Sequence, residues 1–338
     1  MSLKFYDKNG FQNKFDKKYR NVLFKNYITI IYILYIIMTA YSGEKGYLQL
    51  LKDTLENGEK RECRNGNVFS SFAKVVSFND IEKQFPLLTS KKMFTRGVIE
   101  ELLWFLRGST DAKELQEKKV NIWNGNSTRE YLDSVGLKHY KEGELGPVYG
   151  WQWRSFGKPY NKPTNEYIQY EGVDQVKYII EELMKPNYSR RVVLSAWNPL
   201  QLKEMALPPC HMVYTFYKSK KGLSCMMNMR SSDLFLGLPF NIASTAFLTC
   251  IISTVLHIKP QDISVVITDA HIYEEHVNAV KTQLNNTIHE HPTVQISKNP
   301  PELHSSIEDK IKWIEELKYE DFVISNYTSA VSIAAPMK

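Results

Sequence analysis

Cysteine is scarce: 338 residues carry only Cys63, Cys210, Cys225 and Cys250. None forms a C-x-x-C pair and none stands with histidine at zinc-finger spacing, so no metal site is expected. A set this sparse would do little to staple so long a chain, which predicts reduced thiols and a cytoplasmic or nuclear setting. Internal repeats and linkers are missing, as is low-complexity sequence after residue 41, which excludes solenoids and strings of small domains. Neither sign of charge dominates, with 43 Lys+Arg against 37 Asp+Glu and a net charge of +6. That surplus favours anionic partners, and leaves phosphorylated small molecules, RNA and membrane surfaces open.

The apolar run near the start also falls short of membrane length. "YITIIYILYIIMTA" follows a Lys-, Asn- and aromatic-rich start, but it is shorter than the roughly 20 residues a spanning helix needs. Residues 1–41 are therefore set apart as an extension. A basic flank before a short apolar core leaves a weak anchor reading. A buried or lipid-facing extra helix, or an A/T-rich leader ahead of a start at Met38, are the alternatives. A chain beginning at Met38 is expected to keep its activity, and residues 42–338 are expected to form one domain.

What is present suits a large core: 43% of residues are hydrophobic and 24% charged. Helical spacing runs through "EKGYLQLLKDTLENG", "TRGVIEELLWFLRG" and "VDQVKYIIEELMKP", with "NKPTNEYIQYEG" as a loop. Strand character marks "NVFSSFAKVVSFN", "RRVVLSAW", "HMVYTFYKS", "GLSCMMNMR" and "DISVVITDAHIY". "LPFNIASTAFLTCIISTVLH" is apolar on all sides and predicts a buried central helix, with "EEHVNAVKTQL" as a later helix. The order lacks a βαβ cadence, which predicts a single α+β domain, a mixed sheet packed with helices.

Polar residues stand out against this background. In "ALPPCHMVYTFY", Cys210 reads either as a nucleophile needing cationic neighbours or as a buried small residue. Arg190 and Arg191 precede a strand and suit a dianionic phosphate, or form a solvated basic pair. Arg230 and Ser231 close another strand with the same chemistry. Asn241 either reads a ligand edge or caps its own helix. Asp269, His271 and Tyr273 alternate on one strand face and predict a polar cavity or a wet sheet face. Glu100 and Glu101 precede "LLWFL"; helical spacing cannot place both on the apolar face, so one is expected to point inward with a raised pKa.

Together these pieces resemble the thymidylate synthase family. The likeness rests on "EELLWFLRG", "IWNGNSTREYLDSVG", "GPVYGWQWR", "SRRVVLSAWNP", the Pro-Cys-His at residues 209–211, "LGLPFNIAS" and "DAHIY", in family order from about Gly46 to Lys338. "STREYLDSVG" and "GVDQ" look like the eukaryotic and large-virus branch. The resemblance implies reductive methylation of dUMP to dTMP with 5,10-methylenetetrahydrofolate as co-substrate, and turns Cys210 into the expected nucleophile. It implies catalytic roles for Cys210, Glu101, His211 and Tyr149. Arg64, Arg230 and Ser231 would hold the phosphate, with Arg190 and Arg191 supplied by the partner of a sheet-to-sheet homodimer. Asn241 would read the pyrimidine, His271 and Tyr273 the deoxyribose, and Lys91, Trp123 and Asp233 the folate side. Cations around the phosphate would lower the Cys210 pKa.

Departures from the family pattern sit at supporting positions. "RNGNVFSSFA" replaces a Thr/Gly-rich turn, Asn228-Met229 replaces Tyr-Gln, and Thr268 replaces a glycine. Asn124 stands for an acid, and "TSAVS" with a Pro-Met-Lys end replaces the usual tail. Phosphate-loop ordering and folate closure are the expected weak points. Two other readings remain: a non-catalytic nucleotide- or RNA-binding homologue, and a pyrimidine hydroxymethylase. Asn241 speaks against the hydroxymethylase, because a carboxamide matches uracil's carbonyl and ring N–H. The chain is too short to carry a fused dihydrofolate reductase as well.

Overall fold

The longest strands face a single apolar helix, and that pairing organises the molecule. The structure is a computed structural model that describes residues 41–160 and 171–337; the expectations for residues 1–40 and for most of the 161–172 loop lie outside it. The strands are β1 (Tyr41–Ser42), β2 (Glu59–Cys63), β3 (Gly66–Phe78), β4 (Val193–Ser195), β5 (His211–Lys218), β6 (Leu223–Asp233), β7 (Pro260–Tyr273), β8 (Thr293–Ile296) and β9 (Phe322–Ser325). The main sheet runs β1-β3-β7-β6-β5-β4, with β2 as a hairpin partner of β3. Pairs β1–β3 and β6–β7 are parallel and the others antiparallel, so the sheet is mixed as expected. β8 and β9 form a separate antiparallel pair that the sequence pattern did not reveal.

Alternation decides which face is buried. Leu223, Cys225, Met227 and Met229 of β6 point inward with Ile263, Val265 and Ile267 of β7. They meet the Gly237–Val255 helix, which is buried along most of its length. That helix is long and apolar enough to cross a membrane, but here it is the core. Phe247 packs on Phe85 at 4.5 Å and on Phe322 at 5.5 Å between ring centroids. Each such fully buried ring contributes about 1.5–3 kcal/mol of burial energy. The opposite sheet face leaves Val193, Tyr217 and Met226 exposed; Val193 and Met226 both register with Thr215 of β5.

The expected helices form at Gly43–Asn57, Thr95–Leu106 and Gln175–Met184. The first buries Tyr47, Leu50, Leu51 and Thr54 at 3.6-residue spacing. The second stops where Gly108 adopts φ +76 against the Arg154 side chain, a conformation that favours glycine. Short helices at Ala112–Glu117 and Arg129–Ser134, capped by Asp111 and Thr128, escaped the pattern, because six residues are too few to show a period. All described residues fall in one compact unit beginning at Tyr41.

Candidate active site

Parallel pairing of β6 with β7 sets the site. Ser231 lies opposite Asp269 and Asp233 opposite His271, while antiparallel β3 places Val68 opposite Tyr273 and Ser70 opposite His271. Asp269, His271 and Tyr273 therefore share one face, as the alternation predicted. The β2–β3 hairpin carries Arg64 and Asn65 in its tight turn between Cys63 and Gly66. Arg64, Arg230, Ser231, Asp269, His271 and Tyr273 line one cleft of about 460 Å³, walled by Trp197, Leu207 and Pro208. Ser231 Oγ lies 3.3 Å from His271 Nδ1. Asp269 is held below the usual carboxylate range by its hydrogen bond to His271, helped by Ser70 and by the charge of Arg61.

Cys210 sits half-buried beside this cleft, immediately before β5. Arg230 is braced there by two carbonyls: its Nε donates to Pro209 O at 2.8 Å and its Nη2 to Pro208 O at 2.9 Å. The same Nη2 lies 3.6 Å from Cys210 Sγ. Burial pushes the thiol up and the Arg230 charge pulls it down, with burial the larger. Within the single chain, burial outweighs Arg230, the cation that opposes it among the described residues.

Behind the thiol is an aromatic wall. The Cys210 backbone N–H donates to Tyr149 Oη at 2.8 Å, and Tyr149 stacks on His211 at 4.1 Å. Burial pushes His211 down to about 3, so its imidazole is neutral at physiological pH. Its Nδ1 is 3.1 Å from Tyr214 Oη.

The two glutamates divide by their partners. Glu100 is 4% exposed, yet it is paired with Lys118 at 2.6 Å and with Arg96 at 3.8 Å. Glu101 accepts from Trp123 Nε1 at 2.8 Å. Burial raises Glu101 to about 7, with the indole hydrogen bond acting in the opposite direction. Glu100 is thus buried in ion pairs, whereas Glu101 is half-buried with the indole as its partner.

Asn241 lies inside the central helix, whose N-cap is Leu236, so it does not cap that helix. Among the described residues, its Nδ2 has Met229 Sδ as a side-chain partner, at 4.0 Å. Asp233 accepts from the N–H of Phe235 at 2.9 Å and of Leu236 at 3.3 Å, fixing the approach to that helix. Trp123 is buried. Lys91 is buried as well, its ammonium donating to Phe235 O and lying 3.8 Å over the Phe235 ring. Burial lowers it to about 8. Lys91 is thus engaged in the interior and does not line the cleft. Arg190 and Arg191 are exposed before β4 and are not brought to the cleft either. Sequence reasoning missed Trp197 and His276; the alternation of "SAW" could have flagged the first.

A larger cavity of about 810 Å³ lies on the Gly43–Asn57 and Val277–Leu284 helices, lined by Leu48, Leu55, Phe69 and Ile288 with Lys45, Lys52 and Lys281 at its rim. Its lining adds Glu56, Gln49 and Asn285 but no cysteine, serine, histidine or tyrosine. Among the described residues no group of His, Cys, Asp and Glu is placed to hold a metal ion.

Comparison with known proteins gives the same picture. The thymidylate synthase family profile matches residues 45–338. A thymidylate synthase of Herpesvirus ateles is 42% identical over 300 residues, covering 89% of this chain and 99% of the viral protein. A putative bifunctional dihydrofolate reductase-thymidylate synthase of rice is 46% identical over 272 residues, 80% of this chain. A bifunctional relative from soybean is 48% identical over 269 residues, 79% of this chain. The chain spans about half the length of these bifunctional relatives, 55% of the rice protein and 50% of the soybean one. With a match running from residue 45 to the C-terminal residue, the chain belongs to the thymidylate synthase family.

Proposed function

We propose that this chain methylates dUMP to dTMP, with 5,10-methylenetetrahydrofolate as co-substrate and dihydrofolate as the second product. One observation carries the reading: Cys210 Sγ stands 3.6 Å from a braced Arg230 beside a cleft of converging arginine, serine, histidine and tyrosine. Arg64, Arg230 and Ser231 hold the phosphate, whose negative charge is matched by the guanidinium forks. His271 and Tyr273 take the sugar hydroxyl, and Asn241 reads the uracil edge with a carboxamide that, among the described residues, meets only a weak thioether partner.

The Cys210 thiolate adds to carbon 6 of uracil; the new S–C bond sends the C5–C6 electron pair towards carbon 5 and the O4 carbonyl. Carbon 5 is then the nucleophile for the one-carbon unit. The folate, when bound, supplies that unit and afterwards a hydride. Glu101, poised near neutral pH, exchanges protons at the base carbonyl and its water, and Tyr149 and neutral His211 orient that water. Loss of the carbon-5 proton breaks the bond from the one-carbon unit to the folate nitrogen and leaves an exocyclic methylene on the ring. Hydride addition to that carbon expels Cys210 Sγ, restores the C5–C6 double bond and frees the thiolate. The donor set suits a pterin at Asp233 and Trp123, with Lys91 supporting that wall from behind through Phe235.

The exposed row around Val193, Tyr217 and Met226 supports a sheet-to-sheet homodimer. Arg190 and Arg191, free of their own cleft, would then complete the partner's phosphate site and pull the Cys210 pKa down. Free thiols at all four cysteines fit a cytoplasmic setting.

The test is label release from dUMP tritiated at carbon 5, in the presence of the folate. Release with dTMP formation is expected, and Cys210→Ser should abolish both. Tight dUMP binding without release would favour a non-catalytic nucleotide- or RNA-binding protein, and turnover of dCMP alone would overturn the Asn241 assignment.

A further inference from the structure

The C-terminal segment is tied to the interior at spaced points. Tyr327 Oη donates to Leu88 O at 2.8 Å, and the Ala330 N–H donates to Thr89 O at 2.8 Å. Furthest along, Pro336 O lies 2.8 Å from Nε2 of His276. His276 is fully buried, 0% exposed, at the end of the short turn Glu274–His276 that follows β7. Its other ring nitrogen, Nδ1, stands 3.5 Å from Asp233 Oδ1 and lacks a well-directed hydrogen bond.

Both of these neighbours can only accept. A neutral imidazole has a single N–H; it satisfies one of them and turns a lone pair on the other. His276 itself is fully buried, so that lone pair set against a carboxylate is costly. The imidazolium has two N–H groups and suits both.

We propose that His276 is a charged latch: its imidazolium bridges the Asp233 carboxylate and the Pro336 carbonyl, holding the C-terminal segment against the end of β6, and deprotonation weakens that hold. The groups that face it are consistent. Asp233 comes from the end of β6 and Glu275 from its own turn, and both charges favour the cation. The Tyr273 and Phe235 rings flank it at 5.3 and 5.6 Å. Lys91 and Tyr47 also sense the Asp233 charge. Burial works against the cation, yet Asp233 and the Pro336 carbonyl outweigh it and raise the pKa above the ordinary value. The latch is therefore fully formed below about pH 6.5 and is lost as the pH climbs through the raised folded-state value. Because Asp233 also fixes the N–H groups entering the central helix, the tail is coupled to the helix that carries Asn241. His276 is a positioning residue. Its effect on folate affinity rests on the proposed function, whereas the latch itself does not.

The full chain tests this by NMR. The Cε1–Hε1 signal of His276, assigned with His276→Gln, is titrated while 15N relaxation is followed at Ala334, Ala335 and Met337. Expected are a His276 pKa above 6.5 and tail mobility that rises over the same pH interval. In His276→Gln the tail should be mobile at every pH, with a KM for the folate roughly tenfold higher at neutral pH and a smaller change in kcat. A His276 pKa at or below 6.5, or tail mobility indifferent to its titration, overturns the latch in the wild-type chain without any variant having to fold. NMR results as expected together with an absence of dTMP formation refute the activity and leave the latch supported.

Discussion

Glu44 is a buried carboxylate and Glu101 a half-buried one, and their surroundings are opposite. Glu44, 2% exposed, accepts from the Thr89 N–H at 2.8 and 2.9 Å, from Thr89 Oγ1 at 2.7 Å and from the Ser90 N–H at 2.7 Å. It pins the loop that leads into Lys91, with both carboxylate oxygens accepting from Thr89 and Ser90. Glu101 has the Trp123 indole as its hydrogen-bond partner, and burial leaves it near neutral pH. A saturated carboxylate holds a loop in place, while an under-satisfied one can give and take a proton. Burial alone therefore does not single out an acid–base candidate; the number of donors does.

The sharpest break in this comparison is Glu101→Gln. It should lower kcat by about a hundredfold or more, with an unchanged fold by circular dichroism, and the limb of the kcat/KM profile near pH 7 should disappear. Its stability should run the other way. The folded-state pKa of Glu101 is raised from 4.5 to about 7, so the native chain binds the extra proton across that interval and loses stability as the pH rises through it. Denaturant titrations at pH 5 and pH 8 should show the glutamine variant gaining on the wild type at the higher pH.

Glu44→Gln should do the converse. Turning an amide NH2 towards the Thr89 and Ser90 donors should cost about 3 kcal/mol of stability, read as a lower melting temperature, while kcat per folded molecule stays close to wild type. Equal loss of activity in both variants at equal folded fraction would erase the distinction. The smallest expected effect is that of Trp123→Phe. Removing the indole N–H takes away the interaction that lowers the Glu101 pKa, so the pH limb should move upward by up to about one unit.

Much of the frame was legible because long elements repeat their pattern. The Gly43–Asn57 and Gly237–Val255 helices, and the alternation of β6 and β7, announce themselves over many residues. The strand face shared by Asp269, His271 and Tyr273 was legible for the same reason. Short elements were not: β8, β9 and the six-residue helices are specified by partners far along the chain. The site was legible mainly through the family likeness. That Arg230 braces against Pro208 and Pro209, or that Tyr149 receives the Cys210 N–H across 61 residues of chain, depends on tertiary closure. The glutamate pair shows the limit most plainly. Helical spacing places one of the two inward, but Lys118, well outside the helix, decides which one stays uncompensated.

Arg230 has a consequence for ligand capture. An arginine that swings free in solution surrenders about 2 kcal/mol of rotamer entropy when it closes on an anion. Here the Pro208 and Pro209 carbonyls have already fixed the guanidinium, so folding bears that loss and an arriving anion does not.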